Sequence, residues 1–207
     1  MTEVVPTVEL NKFHQDILQY KAGTITPATF KEHSVGLGIY EERTDRTYMV
    51  RARLFAGILL PAHMKTLATV AQTFGNGTIH FTTRQDAQIH GVPLDNLHSA
   101  LVALAEGGLF TNGTGGNTVR NVVACPSAGV SCTEAFDVTP YAVALTEYLL
   151  AAPNSYHLPR KFKIAFSGCG KDCASGMIND VGFIAKIRDG QPGFTVYAGG
   201  GLGPRSR

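Results

Sequence analysis

The stretch TIHFTTRQDAQIHG, residues 78–91, alternates so regularly that it leaves few folds open. Successive side chains of a strand point to opposite faces, so a two-residue period separates two surfaces. The even positions, Thr78, His80, Thr82, Arg84, Asp86, Gln88 and His90, are all polar. The odd positions include Ile79, Phe81, Ala87 and Ile89. The pattern predicts one strand with one face in a core and a long polar stripe on the other. An antiparallel sheet wetted on one side gives the same pattern. The stripe is distinguished by its many hydrogen-bond donors and its single acid.

Helix and strand signals surround this stretch. VELNKFHQDILQYKAG spaces Leu10, Phe13, Ile17 and Leu18 at helical intervals and ends at Gly23. YMVRARLF (48–55) reads as a strand, and residues 61–75 as a helix with Pro61 in its first turn. A turn at Asn76-Gly77 precedes the alternating strand, and LDNLHSALVALAEGGLF predicts a second helix. Residues 1–46 are expected as an N-terminal arm and 47–113 as a β-α-β-α unit. The glycines at 113–116 mark the boundary. Residues 114–207 then hold the strands NTVRNVVAC, KFKIAFSG, DVGFIAKI and FTVYAGG, with a helix over TPYAVALTEYLLAA capped by Thr139. The fold class is α+β, two sandwiches with helices on one face of each sheet.

Totals exclude several classes. A net charge of +2 argues against a nucleic-acid binder that works by bulk charge. Hydrophobic residues at 44% and charged residues at 16% suit a packed core, not a disordered tail. No apolar run reaches membrane-spanning length, and the N-terminus lacks a signal-peptide pattern. Four cysteines without a secretion signal point to the cytoplasm, where thiols serve metals or redox chemistry more often than disulfides. The ending GGGLGPRSR is a poor last element, so the chain is expected to continue.

Two groups of residues carry chemistry. Arg51 and Arg53 share one face of their strand, Lys161 and Lys163 share a face of another, and Arg120 lies in NTVRNVV. Five cations on strands with few acids nearby suit a polycarboxylate or a small oxyanion. Cys125 and Cys132 form a C-x6-C pair, and Cys169 and Cys173 a C-x3-C pair. Such loops suit zinc or an iron–sulfur cluster, with buried inert thiols or a disulfide as the other readings.

These motifs together resemble the sirohaem-dependent sulfite and nitrite reductases, over about residues 45–207. TTRQDAQIHG is similar to that family's sirohaem-contacting strand in its ferredoxin-like half-domain. NTVRNVVACP and LPRKFKIAFSGC are similar to signature segments of the adjoining half-domain, and AGGGLG to a glycine-rich loop near the cofactor. The resemblance implies sirohaem, a [4Fe–4S] cluster and six-electron reduction of sulfite or nitrite. It implies that Arg51, Arg120, Lys161 and Lys163 ring the anion. Arg53, Thr82, Arg84, Gln88 and His90 would contact the macrocycle, and Cys125, Cys132, Cys169 and Cys173 the cluster. An electron donor such as ferredoxin or a reductase subunit is the expected partner, with no nucleic acid and no membrane.

The sequence departs from the family twice. Larger members hold two copies of the paired unit, one with the anion residues and one with the cysteines. A single copy here holds both. The family spacing C-x5-C is C-x6-C in CPSAGVSC (125–132). Either the chain is a compact one-copy reductase, or it is the first half of a longer enzyme that supplies the second half. The rivals are a non-catalytic zinc or iron–sulfur module and a dinucleotide-binding protein built on AGGGLG. The latter is disfavoured because no helix pattern follows those glycines.

Overall fold

The computed structural model describes residues 7–43 and 46–201. Residues 1–6 and 44–45 of the expected arm, and the end of AGGGLG from Leu202 on, lie outside the described residues. The chain divides into two units. One takes residues up to Leu54 together with Ile58–Thr118; the other takes Phe55–Gly57 and everything from Val119. No helix among the described residues is long and apolar enough to cross a membrane.

The first unit opens with α1 (Thr7–Lys21), at the place its apolar spacing predicts. Instead of forming a separate arm, Leu10, Phe13 and Ile17 are buried in the unit's core. A second helix, α2 (Pro27–Gly36), is one the sequence reading passed over. Its start has a clear signal: Pro27 opens the helix and the Thr26 hydroxyl accepts the Thr29 N–H at 3.2 Å. Phe30 from this helix stacks on Tyr20, with centroids 4.4 Å apart.

Four antiparallel strands follow: β1 (Ile39–Glu41), β2 (Thr47–Arg53), β3 (Ile79–Phe81) and β4 (Asp86–Pro93), in the order β1-β2-β4-β3. α3 (Pro61–Phe74) matches its predicted range, and α4 (Leu97–Glu106) begins three residues later than expected, after a 3-10 turn at Leu94–Asn96. Val50, Ala52, Ala87 and Ile89 turn toward Leu67, Val70, Leu101 and Leu104, so the helices cover one face of the sheet. Arg51, Arg53, Gln88 and His80 fall on the other face by register, Arg51 opposite Gln88 and His80 opposite Gln88.

The alternating stretch is not one strand, as the sequence reading had it, but a hairpin. Residues 82–85 turn the chain between β3 and β4. The Thr82 hydroxyl accepts backbone N–H groups from Arg84 (3.2 Å) and Asp86 (3.1 Å). Gln85 adopts a left-handed conformation, φ 55°. A polar side chain that bonds its own backbone makes a turn cheaper than extended chain, and alternation does not register it. A bulge then falls at Gly91. Between the pairs Tyr48–Val92 and Val50–Ile89, one residue of β2, Met49, faces two of β4, His90 and Gly91. Gly91 has φ +69°, the left-handed value such a bulge uses.

In the second unit, β5 (Val123–Ala124), β6 (Ile164–Ser167) and β7 (Val181–Arg188) run parallel, and β8 (Gln191–Ala198) returns antiparallel to β7. NTVRNVVAC yields only the two residues of β5 and a parallel bridge from Val119 to Phe162. α5 (Thr139–Ala151) packs with Ala142 in a core that holds Val122, Val138, Ile164, Phe166 and Ala56. Thr139 is not the cap. Val138 takes that position, and the Asp137 carboxylate accepts the Thr139 N–H at 2.9 Å. The rings of Phe166, Phe183 and Phe194 stack and meet edge to face within 5.7 Å.

Two outcomes test this packing. Gly115 is buried, and a Cβ there would lie 2.1 Å from the Val35 carbonyl oxygen and 2.7 Å from the Tyr40 hydroxyl. Gly115→Ala should therefore cost about 3 kcal/mol in urea unfolding, because backbone must shift. The second concerns His14 and His98, whose rings lie 4.4 Å apart with His14 Nδ1 and His98 Nε2 buried without a partner. Burial, and then His14, hold the His98 imidazole below its usual pKa. The unfolded chain thus binds the extra proton first. Stability should be full above the ordinary histidine range and fall as pH drops below it. His98→Gln should flatten that part of the pH–midpoint curve.

Candidate functional site

The first unit builds its site around Arg51, half-buried on β2. Its Nη1 donates to the Thr114 carbonyl at 2.9 Å. With the Gln88 amide oxygen turned toward the guanidinium, that oxygen accepts from Nη2 (2.8 Å) and Nε (3.2 Å). The guanidinium carbon lies 5.4 Å above the Tyr40 ring centre, a cation–π distance. The backbone is tied down as well: Arg51 N–H donates to the Gly38 carbonyl, and the Thr114 hydroxyl donates to the Arg51 carbonyl. Residues 113–116 read from sequence as a boundary. They instead pack closely enough for their backbone to serve Arg51 and Tyr40, whose hydroxyl accepts the Gly116 N–H at 3.1 Å.

The other polar residues of this unit divide by environment. Arg53 is 3% exposed, and its Nη2 donates to the Asn112 carbonyl at 3.4 Å. Asp86 faces it across the strand pair, equally buried. Thr82 and Arg84 belong to the hairpin turn, and Thr82 spends its oxygen there. His90 Nδ1 bonds Glu42 at 2.7 Å, which leaves its Nε2 for other work. Burial pushes the Glu42 carboxyl up. Hydrogen bonds from His90, the Gly91 N–H and the Thr47 hydroxyl outweigh it and hold the group below the usual range. Glu42, Tyr40 and Thr114 were missed from sequence. β1 is three residues long, too short for alternation to mark.

In the second unit the bridge from Val119 to Phe162 sets the positions of three cations. Residues paired across a ladder share a face, and their neighbours share the other. Arg120, Lys161 and Lys163 therefore come to one side, away from Val119. Arg120 N–H donates to the Phe162 carbonyl at 2.8 Å, and Lys163 N–H to the Asp180 carboxylate at 2.7 Å. Lys161 is exposed; Arg120 and Lys163 are half-buried.

β6 leads from Lys163 directly into the thiol loop. Cys169 Sγ and Cys173 Sγ are 3.6 Å apart, and all four cysteines are free thiols. The Lys171 backbone N–H, then Cys173, hold the Cys169 thiol below its usual pKa. Cys173 is pushed up to about 11, first by Cys169, then by local desolvation and by Cys125. Asp172 shapes the loop: its carboxylate accepts from the Ser167 hydroxyl (2.7 Å) and from the Gly176 (2.7 Å) and Met177 (3.0 Å) N–H groups. Cys125, Cys169 and Cys173 thus interact, while Cys132 is exposed and makes no hydrogen bond to them among the described residues. Soft thiols supported by backbone N–H suit an iron–sulfur cluster, whose corners spread its ligands. A zinc site would gather its ligands around one point.

The comparisons agree with both units. The nitrite/sulfite reductase ferredoxin-like half domain matches residues 40–107, and the nitrite and sulphite reductase 4Fe-4S domain matches residues 115–207. An assimilatory ferredoxin-dependent nitrite reductase of Haloferax mediterranei is 34% identical over 81% of this chain and 31% of its own length. The sulfite reductase [NADPH] hemoprotein beta-component of Acidithiobacillus ferrooxidans is 33% identical over 75% and 32%. The chain thus spans about a third of the curated relatives it matches. Among solved structures, the Mycobacterium tuberculosis NirA protein superposes with a TM-score of 0.80 at 26% identity, over 94% of this chain and 39% of that one. Two half-domain matches in order, with the same fold, mean that the chain belongs to the nitrite and sulfite reductase family.

Proposed function

We propose that this chain forms the oxyanion-handling part of a reductase that converts nitrite to ammonia or sulfite to sulfide. The observation that carries the reading lies within the second unit. A single four-residue strand, β6, joins Lys161 and Lys163 to the thiol loop, and the bridge beside it adds Arg120 on the side of the lysines. Sirohaem and a [4Fe–4S] cluster would bring metal-centred electron transfer to such a site. Arg84, Gln88 and His90 suit the macrocycle's carboxylates, whereas Arg53 is buried opposite Asp86 and the Thr82 oxygen is already engaged in its turn. Cys125, Cys132, Cys169 and Cys173 would hold the cluster, with Cys132 brought in by its loop.

The chain's own residues contribute charge and protons. Arg51 and Arg120 stay cationic and can fork onto oxyanion oxygens. Lys161 and Lys163 offer ammonium protons from Nζ to oxygens that leave as water. The Asp180 carboxylate fixes the backbone at Lys163 and so the start of β6. A ferredoxin or a reductase subunit as electron donor is supported by the names of the relatives, and free thiols support a cytoplasmic setting.

The test begins with anaerobically purified protein, its absorption spectrum, and its iron, acid-labile sulfide and zinc contents. Iron and sulfide are expected, and Cys169→Ser should remove the cluster absorption. Zinc with no iron would sink the reading. Arg120→Ala or Lys161→Ala should lower kcat/KM for the anion by about a hundredfold at unchanged iron content, because each removes a cation beside the oxyanion.

A further inference from the structure

Arg51 has five N–H donors, and its protein partners take three of them: one on Nη1, one on Nη2 and that on Nε. One donor remains on each terminal nitrogen for the oxygens of an anion. A free arginine would have to freeze several torsions to present that pair. Here the guanidinium is already fixed on three sides. Gln88 bonds one edge, the Thr114 carbonyl bonds Nη1, and the Tyr40 ring lies beneath it.

Tyr40 also closes a circuit. Its hydroxyl holds the Gly116 N–H at 3.1 Å, and two residues before Gly116 lies the carbonyl that Arg51 bonds. Gly115 sits between these contacts, where a side chain would strike the Tyr40 hydroxyl. Tyr40 thus touches both the cation and the loop that holds the cation.

We infer that Tyr40, together with Gln88, is a positioning residue that fixes Arg51 with two donors kept for the oxyanion. This rests on the proposed function for its ligand, and on geometry alone for the clamp. Preorganising a binding group raises affinity by cutting the ordering cost. The expected effect therefore falls mainly on KM.

The test is a double-mutant cycle on the cofactor-loaded protein, with Tyr40→Leu and Arg51→Ala singly and together. Tyr40→Leu should raise the KM for nitrite or sulfite about tenfold with a much smaller change in kcat. Tyr40→Phe, which restores the ring, should return most of the lost affinity. In the Arg51→Ala background, Tyr40→Leu should add nothing further. An equal KM rise in both backgrounds, or none in either, would overturn the inference. Should Tyr40→Leu not fold, Gln88→Met replaces it in the cycle with the same expectation. If the unaltered protein binds neither anion, the functional reading fails. Coupling between Tyr40 and Arg51 in the urea midpoints of the same four proteins then decides the clamp: its presence supports the clamp, its absence rejects it.

Discussion

The close approach of residues 113–116 to β1 and β2 governs the first unit. A side chain at Gly115 would strike the Val35 carbonyl and the Tyr40 hydroxyl, so glycine there lets the Thr114 carbonyl reach Arg51. Gly113 and Gly115 flank Thr114, and Gly113 N–H bonds the Gly36 carbonyl at the end of α2. The Thr114 hydroxyl turns back to the Thr111 carbonyl at 2.6 Å, which tightens the loop on itself. Thr118 closes it again through the Gly113 and Gly115 carbonyls. Glycine spends conformational freedom here to gain proximity, and the gain is a cation held without an acid.

That choice matters for an anion site. A carboxylate partner would fix Arg51 as well, but it would also cancel its charge. Neutral acceptors, an amide oxygen and a carbonyl, hold the group and leave the field intact. The contrast with Arg53 is instructive. It lies two residues away on the same face, buried opposite Asp86, with a carboxylate as its cross-strand neighbour. Identical residues with identical strand parity therefore differ in what they can offer a ligand.

The second unit depends on a different economy. Its thiol loop is shaped by Asp172, which gathers a hydroxyl and two N–H groups, while Asp172 and Ser175 both adopt left-handed backbone. The lysines gain their placement more simply, by preceding a strand whose four residues are all buried.

Much of this was legible in the chain. Apolar spacing located α1, proline, glycine and cap signals located α3, α4 and α5, and the motif order identified the family, because all are local patterns along the sequence. Strand parity placed Arg51 with Arg53 on one face and Gln88 with His80 on one polar stripe, although the hairpin at 82–85 was read as continuous strand. The sequence alone also determined the cation and thiol inventory and the glycine cluster. Only the tertiary structure decided what these do. The partners of Arg51 come from positions 40, 88 and 114, and no local period links residues so far apart. Their meeting is set by sheet register and loop packing, which arise from long-range burial and not from neighbouring residues.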